Sequence, residues 1–589
     1  MRTRSARQSA SASFRWRAHF LVGLLALVAG ALVCRAVDLQ LVEYSFLSKQ
    51  GDARFTRVVD IAAHRGTITD RYGEPLAVST PVDSIWVNPK QIAGASGQIV
   101  RLAEALGINR QELLRRVTSN LDRDFLYVAR QCQPAEAARI KALEIPGVYL
   151  SREYRRYYPA GEVTGQLIGF TNVDDQGQAG LELANDQSLT GIDGEKRVIQ
   201  DRYGRIVQDI ESIRPARPGR DLVLSIDLRI QYLAYRALKE QVADQKASSG
   251  AMVVIDIATG EVLAMVDQPA FNPNDRDQMR PDRYRNRAVT DVYEPGSSMK
   301  PFFVAAGLIS GRYDDHSIIN TSPGFIKVGT HVFSDEGHDY GPIDIAMVLA
   351  HSSNVGMAHL ALSLPPKLIW ATLRGYGFGQ LATSGYPGES AGLLAPLHTW
   401  RPIDIATMSH GYGISVTTLQ LAHAYATVGA LGIARPISFM RVDTPPEGTR
   451  VMDPRLCREL IAMMRSVISL EGTAPLAAIP GYTVSGKTGT AWKADGGSYE
   501  QHHYVSVFAG VSPASAPRLA AAVFINDPEN GIHHGGDVSA PVFSKVIGRA
   551  LRLMAVAPDE PVEQPEGLRT ASLRVPSDLK AGASAPETR

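Results

Sequence analysis

The feature of the sequence that most limits how the chain folds is an apolar run near its N-terminus. Residues Phe20–Cys34 carry no charge, whereas the 19 residues before them hold five arginines and no acidic residue. Such a run is typical of a membrane helix, and the basic residues stay on the cytoplasmic side. We therefore expect a cytoplasmic segment at 1–17, a transmembrane anchor at 18–37 and an exported remainder. The uncharged run is short for a bilayer, so Arg17 and Arg35 would snorkel to its surfaces.

A cleavable signal peptide is the competing interpretation of the same run. Ala29-Gly30-Ala31 fits the small-residue pattern of a signal-peptidase site. However, apolar residues continue past Ala31, and no polar cleavage region follows. The flanking pattern therefore favours an anchor that stays attached to the exported chain.

Length and composition limit what the rest of the chain forms. A chain of 589 residues exceeds the usual size of one domain, so about two to four are expected. The formal net charge of +1 gives no reason to expect nucleic-acid binding. Three cysteines do not make a disulfide framework. Cys34 lies in the apolar run, and the wide separation of Cys132 and Cys457 in sequence disfavours a bridge between them.

The stretch 38–216 is charged, rich in arginine and divided by many turn signals. Two segments stand out: 65–77, and 155–161 with its continuation at 177–182. Neither pairs a nucleophile with a base, so we interpret the stretch as an extended, non-catalytic scaffold with salt-bridged arginines. Between the two segments, 101–145 has leucine, alanine and isoleucine at helical spacing, which predicts core helices.

A second folded unit is predicted for 217–557, with candidate strands at both ends and a helical middle. The predicted strands are Leu222–Ile226, Ala251–Asp256, Val262–Val266, Ser506–Val511 and Leu519–Ile525, and the predicted flanking helices are Ile226–Gln241 and Val542–Met554. One sheet built from distant parts of the chain indicates a multidomain α+β protein. After Pro558 the composition turns to proline, alanine, glutamate and serine, so 558–589 is predicted to be a flexible tail.

One short segment of this unit places a nucleophile beside a base. Pro295 and Gly296 mark a turn, Ser297 follows them, and the apolar run that begins at Phe302 has the composition of a helix. Residues three apart on a helix share a face, so Lys300 would lie beside Ser297. A neutral lysine can take the proton of a serine hydroxyl, and a helix N-terminus favours the oxyanion that then develops.

The pattern Ser-x-x-Lys is weak by itself. It recurs at Ser577–Lys580 in the predicted tail, and a single match is more often a serine N-cap followed by a solvated lysine. Two further motifs follow in order, Ser352-Ser353-Asn354 and Lys487-Thr488-Gly489-Thr490. Each of them alone is as well explained by a helix-capping turn or by an edge strand with a bulge. The three in this order are the signature of the penicillin-recognising serine enzymes.

The chain resembles the class B high-molecular-mass penicillin-binding proteins, and most of all the division-specific peptidoglycan D,D-transpeptidases of the FtsI type. The resemblance runs from the anchor to about Leu553 and includes both arginine-rich segments, the three motifs and Gly535–Phe543. It implies a non-catalytic, dimerisation-type pedestal domain and a transpeptidase domain with an antiparallel sheet, flanking helices and an all-helical subdomain. It also implies a serine enzyme that joins peptide stems of adjacent glycan strands. No segment matches a glycosyltransferase domain.

The resemblance also implies a role for each motif residue. Ser297 would attack the terminal D-Ala-D-Ala carbonyl and form an acyl-enzyme, with Lys300 as the neutral base. Ser352 would relay a proton to the leaving amine, and Asn354 would orient Lys300 and the substrate amide. The backbone N–H groups of Ser297 and Thr490 would form the oxyanion hole.

The third motif would bind the substrate. Lys487 would stay charged and lower the pKa of Lys300, and together with Thr488 and Thr490 it would meet the terminal carboxylate of the substrate. Gly489 would let the strand approach the ligand closely.

The same resemblance sets the expected location and partners. The protein would cross the cell inner membrane once and hold its catalytic domain in the periplasm, at the division septum. Its partners would be peptidoglycan and lipid-linked precursor strands, β-lactams as covalent inhibitors, and divisome membrane proteins that include a glycosyltransferase. No cofactor, metal ion or nucleic acid is expected.

Four positions depart from the family pattern. Trp492 stands where arginine or glutamine is usual, His351 where lysine is common, and His533 and His534 where some relatives have aromatic residues. These side chains would shape the acceptor side and the β-lactam pocket. The paired histidines do not match a His-Glu-x-x-His zinc pattern, so pocket-lining or surface histidines are the favoured interpretation.

Other functions remain open at this point. A divisome scaffold or a specialised second copy would bind penicillin although its catalysis is dispensable. A penicillin-sensing receptor would follow several membrane spans, whereas this sequence shows one, and a β-lactamase would not need the pedestal.

Overall fold

The computed structural model describes residues 9–46, 56–94, 96–200, 206–495 and 498–561 and divides the chain into two compact units. The first unit comprises the described residues up to His64 together with 81–155 and 190–219. The second comprises 65–80, 156–189 and the described residues from Arg220 onward. Residues 1–8 of the predicted cytoplasmic segment and 562–589 of the predicted tail lie outside the described residues. The domain boundaries expected from the sequence stay predictions.

The N-terminal segment forms one long helix. The α-helix Ser9–Val37 continues as a π-helical turn, Asp38–Val42. The part from Arg15 to Val42 is 28 residues long, and its most apolar window has no residue buried against protein. This helix is therefore long and apolar enough to cross a membrane, as the sequence predicts for the anchor.

The rest of the first unit combines β-strands with short helices around a small core. Strands Thr56–Ile61, Gly194–Gln200 and Ile206–Arg214 form an antiparallel sheet with Gly194–Gln200 in the middle. Strands Leu126–Cys132 and Val148–Tyr157 both pair with Pro75–Val87. The helices are Pro89–Ile92, Ser96–Leu106, Arg110–Thr118 and Pro134–Ala142. The helical prediction for 101–145 is wrong at Leu126–Cys132, because pairing with Pro75–Val87, a contact distant in sequence, decides its conformation.

A five-stranded antiparallel sheet is the centre of the second unit. Its strands are β1 (Ser249–Asp256), β2 (Val262–Gln268), β3 (Ser485–Asp495), β4 (Ser498–Ser512) and β5 (Leu519–Asn526). The spatial order is β2-β1-β5-β4-β3, so β3 forms an edge. Every residue of β1 and β2 is buried, which requires cover on both faces of the sheet.

Helices supply this cover and build the region between β2 and β3. The longer ones are α1 (Leu228–Asp244), α2 (Lys300–Ile309), α3 (Asn354–Ser363), α4 (Thr418–Gly429), α5 (Pro454–Arg465) and α6 (Ala540–Leu553). Helices α1 and α6 pack against each other on one face of the sheet, and α4 packs on the other. The α+β class and the helical middle are confirmed.

Further elements complete the second unit. The remaining α-helices are Gly165–Ile168, Gly180–Ala184, Asp186–Leu189, Pro281–Tyr284, Arg287–Thr290, Ile345–Ala350, Pro366–Gly375, Pro402–Ser409 and Gly535–Val538. The two-stranded ribbons are Ile318–Asn320 with Pro342–Asp344, Phe325–Val328 with His331–Ser334, and Ile433–Ala434 with Thr449–Arg450. These ribbons were not predicted, because strands of two to four residues give no periodic signal. The predicted strand Leu222–Ile226 is only Leu222–Val223, and it pairs in parallel with Ile68–Thr69.

The two arginine-rich segments meet in a buried ion cluster of the second unit. Glu182 lies 2.8 Å from Arg65 and 2.6 Å from Arg156, and all three side chains are at most 2% exposed. Arg65 also pairs with Asp186 at 2.8 Å. Burial raises the pKa of the nearby Asp175 to about 6. The predicted salt-bridged arginines are thus confirmed, and they tie together three segments that are distant in sequence.

Candidate active site

Ser297 lies in the turn that leads into α2. Gly296–Met299 is a 3₁₀ turn, α2 begins at Lys300, and Pro301 occupies its first turn. Gly296 has a φ angle of +56°, a left-handed conformation that glycine adopts without strain. The Ser297 side chain is half-buried, and its hydroxyl makes no hydrogen bond to any of the described residues. The structure therefore has the predicted serine just ahead of a lysine at a helix start.

Lys300 is fully buried, and its ammonium nitrogen joins the first motif to the second. Lys300 Nζ donates to the backbone oxygen of Ser352, to Ser352 Oγ at 3.1 Å and to Asn354 Oδ1 at 2.9 Å. Burial lowers the pKa of Lys300 to about 7, although the carboxylates of Asp335 and Glu336 oppose the shift. A large part of the Lys300 amine is therefore neutral near pH 7. From the sequence we expected the charge of Lys487 to lower the pKa of Lys300. In the structure, the cause that lowers it is burial.

Asp335 holds the second motif in place. Its carboxylate accepts hydrogen bonds from Ser353 Oγ at 2.6 Å, from the backbone N–H of Asn354 and from that of Val355 at 3.0 Å. These donors lie at the N-terminus of α3, where backbone N–H groups lack helical partners. Ser352, immediately before them, has a φ angle of +57°. Sequence reasoning missed Asp335, because a carboxylate that binds a helix N-terminus from another segment has no fixed spacing from it.

Lys487 is the second buried lysine of the site. Its Nζ donates to Thr488 Oγ1 at 3.0 Å and to Thr473 Oγ1 at 3.5 Å, and the two threonine hydroxyls are 2.9 Å apart. Burial and the nearby Lys300 lower the pKa of Lys487 well below its ordinary value. The shift runs against the expectation that Lys487 is charged by default, and an anionic group beside it would restore the charge. Thr473 was not predicted.

Two glycines, Gly296 in the turn of Ser297 and Gly489 on β3, let the backbones of the turn and the strand approach closely. A Cβ atom added to Gly489 would lie 2.2 Å from the carbonyl oxygen of Pro295, and one added to Gly296 would lie 2.8 Å from that of Thr490. Thr490 Oγ1 accepts a hydrogen bond from the N–H of Gly535 at 3.2 Å. The need for glycine at position 489 thus comes first from its contact with the turn.

The four unusual positions lie among aromatic side chains. Trp492 is half-exposed, with 51% of its surface accessible. His533 stacks on Tyr504 with ring centres 3.9 Å apart, and His534 lies next to His533 at 4.5 Å. His351 stacks on Tyr340 at 4.6 Å. Such stacking fits the predicted pocket-lining role of the histidines.

Neither metal clusters nor disulfides occur in the part of the chain that the structure describes. Within those ranges, no group of three or more histidine, cysteine, aspartate or glutamate side chains is arranged to hold a metal ion. Cys34, Cys132 and Cys457 are free thiols.

The site as a whole brings together all eight residues proposed from the sequence. Two buried lysines with lowered pKa share the site with a serine at a helix start, and hydroxyl and amide groups contact the two lysine nitrogens. A neutral amine beside a serine hydroxyl can accept its proton, and the second amine can bind an anion. The arrangement suits acyl transfer through a covalent ester on serine.

Comparisons with known proteins agree with this chemistry. A sequence model described as the penicillin binding protein transpeptidase domain matches residues 250–548, and one described as the penicillin-binding protein dimerisation domain matches 60–224. The peptidoglycan D,D-transpeptidase FtsI of Escherichia coli K12 is 44% identical over 559 residues, which cover 94% of each chain.

Two solved structures are similar as well. The transpeptidase domain of penicillin-binding protein 3 from Burkholderia pseudomallei is 40% identical, with a TM-score of 0.53, over 57% of this chain and 98% of that one. Penicillin-binding protein 3 of Mycobacterium tuberculosis, in complex with aztreonam, is 25% identical, with a TM-score of 0.66, over 86% of this chain and 99% of that one.

Proposed function

Because the chain belongs to the FtsI-type peptidoglycan D,D-transpeptidases of the penicillin-binding protein family, we propose that its acyl transfer is carried out by Ser297, Lys300, Ser352, Asn354 and Lys487. The observation that carries this assignment is the position of Lys300 Nζ. It is buried at the start of α2, three residues after the serine, and bonded to both polar residues of the second motif. Among the lysines that the structure describes, no other combines these contacts with a following Ser-x-Asn motif.

Acylation begins with the proton of Ser297. Ser297 Oγ attacks the carbonyl carbon of the terminal D-Ala-D-Ala bond, and its proton passes to the neutral Lys300 Nζ. Ser352 Oγ, 3.1 Å from that nitrogen, passes a proton to the nitrogen of the leaving D-alanine. The C–N bond breaks and an ester on Ser297 remains. The N–H groups of Ser297 and Thr490 stabilise the oxyanion of the tetrahedral intermediate.

Transfer to the acceptor reverses these proton movements. The amine of a neighbouring peptide stem attacks the ester carbonyl, loses its proton to the Lys300–Ser352 pair, and forms the new amide bond. Ser297 leaves with a proton and is ready for another cycle.

The edge strand β3 binds the substrate. Lys487, Thr488 and Thr490 meet the terminal carboxylate of the donor stem, which restores the charge on Lys487. Gly489 keeps the strand close to the turn of Ser297. When the carboxylate is bound to the strand, the reacting carbonyl therefore lies next to the serine.

Labelling with a fluorescent penicillin tests the assignment. Ser297→Ala should abolish the covalent label, because the ester oxygen is gone. Ser577→Ala serves as the matched control, since Ser577–Lys580 has the same pattern without partner motifs and should keep the label. A labelled Ser297→Ala protein would refute the mechanism.

The location and the partners are proposed on related grounds. The protein is membrane-anchored, which its relation to FtsI and its N-terminal apolar helix support. We place the anchor at 18–37, the pedestal at 38–216 and the transpeptidase domain at 217–557. By the positive-inside rule the latter two lie in the periplasm. The name of the E. coli relative supports work at the septum, with lipid-linked precursor strands, β-lactams and divisome membrane proteins that include a glycosyltransferase as partners.

A further inference from the structure

One segment outside the three motifs contacts the second motif and residues next to the other two. The segment is His410-Gly411-Tyr412, which directly follows the helix Pro402–Ser409. His410 Nε2 lies 2.9 Å from the backbone oxygen of Asn354, in the second motif. The backbone oxygen of Gly411 accepts from the N–H of Gly296 at 3.3 Å, in the turn of the serine. The Tyr412 hydroxyl accepts from the N–H of Trp492 at 3.3 Å, on β3.

His410 is the member of this segment that faces the base. Its side chain is buried, with 6% of its surface exposed, and its ring stacks on Phe333 with centroids 4.9 Å apart and planes 12° apart. Next to Phe333, the backbone oxygen of Ser334 accepts from Asn354 Nδ2 at 3.0 Å. Asn354 is therefore held at its main chain by His410 and at its side-chain nitrogen by Ser334. Its remaining oxygen, Oδ1, accepts from Lys300 Nζ.

The imidazole acts as a fixed donor rather than as a proton carrier. A backbone carbonyl only accepts hydrogen bonds, so Nε2 carries the hydrogen in this pair. Burial lowers the pKa of His410 to about 4, and the charges of Lys300 and His331, which face it, act in the same direction. The ring is therefore neutral throughout the range in which Lys300 titrates.

We propose that His410 is a positioning residue of the transpeptidase site. Its hydrogen bond fixes the first turn of α3, so that Asn354 Oδ1 holds Lys300 Nζ beside the Ser352 hydroxyl. The inference rests on the proposed role of Lys300 as the base. His410 itself touches none of the reacting atoms and acts only through Asn354.

Two amide substitutions of the full-length, detergent-solubilised protein separate the two ring nitrogens. In His410→Gln the amide nitrogen occupies the place of Nε2 and can still donate to Asn354. In His410→Asn the amide nitrogen occupies the place of Nδ1 and cannot reach the backbone oxygen of Asn354. The measurement is the second-order rate constant for acylation by a chromogenic cephalosporin as a function of pH, with the melting temperature of each variant as the control for folding.

We expect His410→Gln to acylate within about threefold of the wild type and His410→Asn to be slower by about ten- to a hundredfold, since misplacement of a base costs rates of this order. The acidic limb of the pH profile should also move to lower pH in His410→Asn only. A hydrogen bond from the charged ammonium to Asn354 Oδ1 raises the pKa of Lys300, so its loss lowers that pKa.

Three results would overturn the proposal: wild-type rates in His410→Asn, equal losses in both variants, or a slower His410→Asn whose acidic limb has not moved. Should His410→Asn not fold, His410→Thr, which also cannot reach Asn354, takes its place with the same expectations. Penicillin labelling of Ser297→Ala remains a separate test, so failure here would leave the proposed function standing.

Discussion

At the scale of single residues, the site depends on two lysines that water does not reach. Lys300 and Lys487 are both fully buried, and in both cases burial is the main reason for the lowered pKa. A charged amine loses its hydration there, whereas a neutral one loses little. In the proposed mechanism, burial thus gives the serine a base of which a large part is neutral near pH 7, and it makes the charge of the second lysine responsive to a bound anion.

The pKa of Lys300 predicts how acylation depends on pH. Only the neutral amine accepts the serine proton, so the rate constant should fall about tenfold for each unit of pH below about 7 and level off above it. Stopped-flow acylation with one β-lactam, from about pH 5 to about pH 9, gives this profile. A rate constant that stays level between about pH 5 and pH 7 would exclude a neutral Lys300 as the base.

Arginine substitutions separate the roles of the two lysines. Arginine does not deprotonate in proteins, so Lys300→Arg removes the base and should slow acylation by roughly 10²–10⁴-fold. Lys487→Arg keeps a cation for the carboxylate and should retain measurable acylation. Equal acylation rates in the two variants would instead favour Lys487, acting through Ser352, as the base.

Asp335 links the stability of the second motif to the titration of Lys300. Asp335→Asn keeps one acceptor but removes the charge, so we expect a loss of about 1–3 kcal/mol in the free energy of unfolding. Because the carboxylate raises the pKa of Lys300, its removal should also move the acidic limb of the acylation profile to lower pH. Thermal melting and the pH profile of the same variant measure the two effects.

The sequence pointed to the residues proposed to react more readily than to the residues that contact them. Ser297 and Lys300 could be found because a turn, a helix start and a spacing of three are all local. Asp335, Thr473 and His410 could not, because each meets the motifs through a contact between distant segments. The burial of Lys487, which lowers its pKa, could not be predicted for a related reason, since residue type alone does not reveal burial.

At the scale of elements, the close approach of the serine turn to β3 depends on glycine. A Cβ atom on Gly489 would collide with the Pro295 carbonyl at 2.2 Å, so Gly489→Ala should push β3 from the turn and lower acylation by at least about a hundredfold. Gly97→Ala is the control, because no atom lies within 4 Å of the added carbon. Penicillin labelling of both variants decides the matter, and full labelling of Gly489→Ala would contradict the geometry.

Strands were hard to predict when their conformation depended on pairing with one distant strand. The strands β1 and β5 are mostly apolar, with polar residues only at their ends, and appear in the sequence as buried runs. Leu126–Cys132 lies in a stretch with helical spacing, and only its pairing with Pro75–Val87 makes it a strand.

At the scale of the whole molecule, the second unit includes segments from the first third of the chain. Glu182→Ala would leave Arg65 and Arg156 as buried charges without their shared partner, and removal of one member of a buried ion pair costs about 3–5 kcal/mol. Differential scanning calorimetry should show a lower melting temperature. Glu240→Ala, which breaks an exposed pair with Lys545, should leave it unchanged. Equal shifts would show that the buried cluster is dispensable.

Membrane attachment predicts the chemistry of the mature N-terminus. If the helix Ser9–Val37 is an uncleaved anchor, the N-terminal sequence of the membrane-bound protein should be that of the encoded chain. The protein should also remain in the membrane fraction after a high-salt wash. N-terminal sequencing of the purified protein measures this. A mature protein that begins at Leu32 would show cleavage after Ala31.

The strand order β2-β1-β5-β4-β3 also determines how late in synthesis the sheet can close. β1 lies in the first half of the chain, but its neighbour β5 lies near the end of the described residues, and β3 joins the sheet through β4. Ser297 is therefore synthesised long before β3, the strand that carries Lys487. Until β3, β4 and β5 have been made, a growing chain holds the serine without the second lysine beside it.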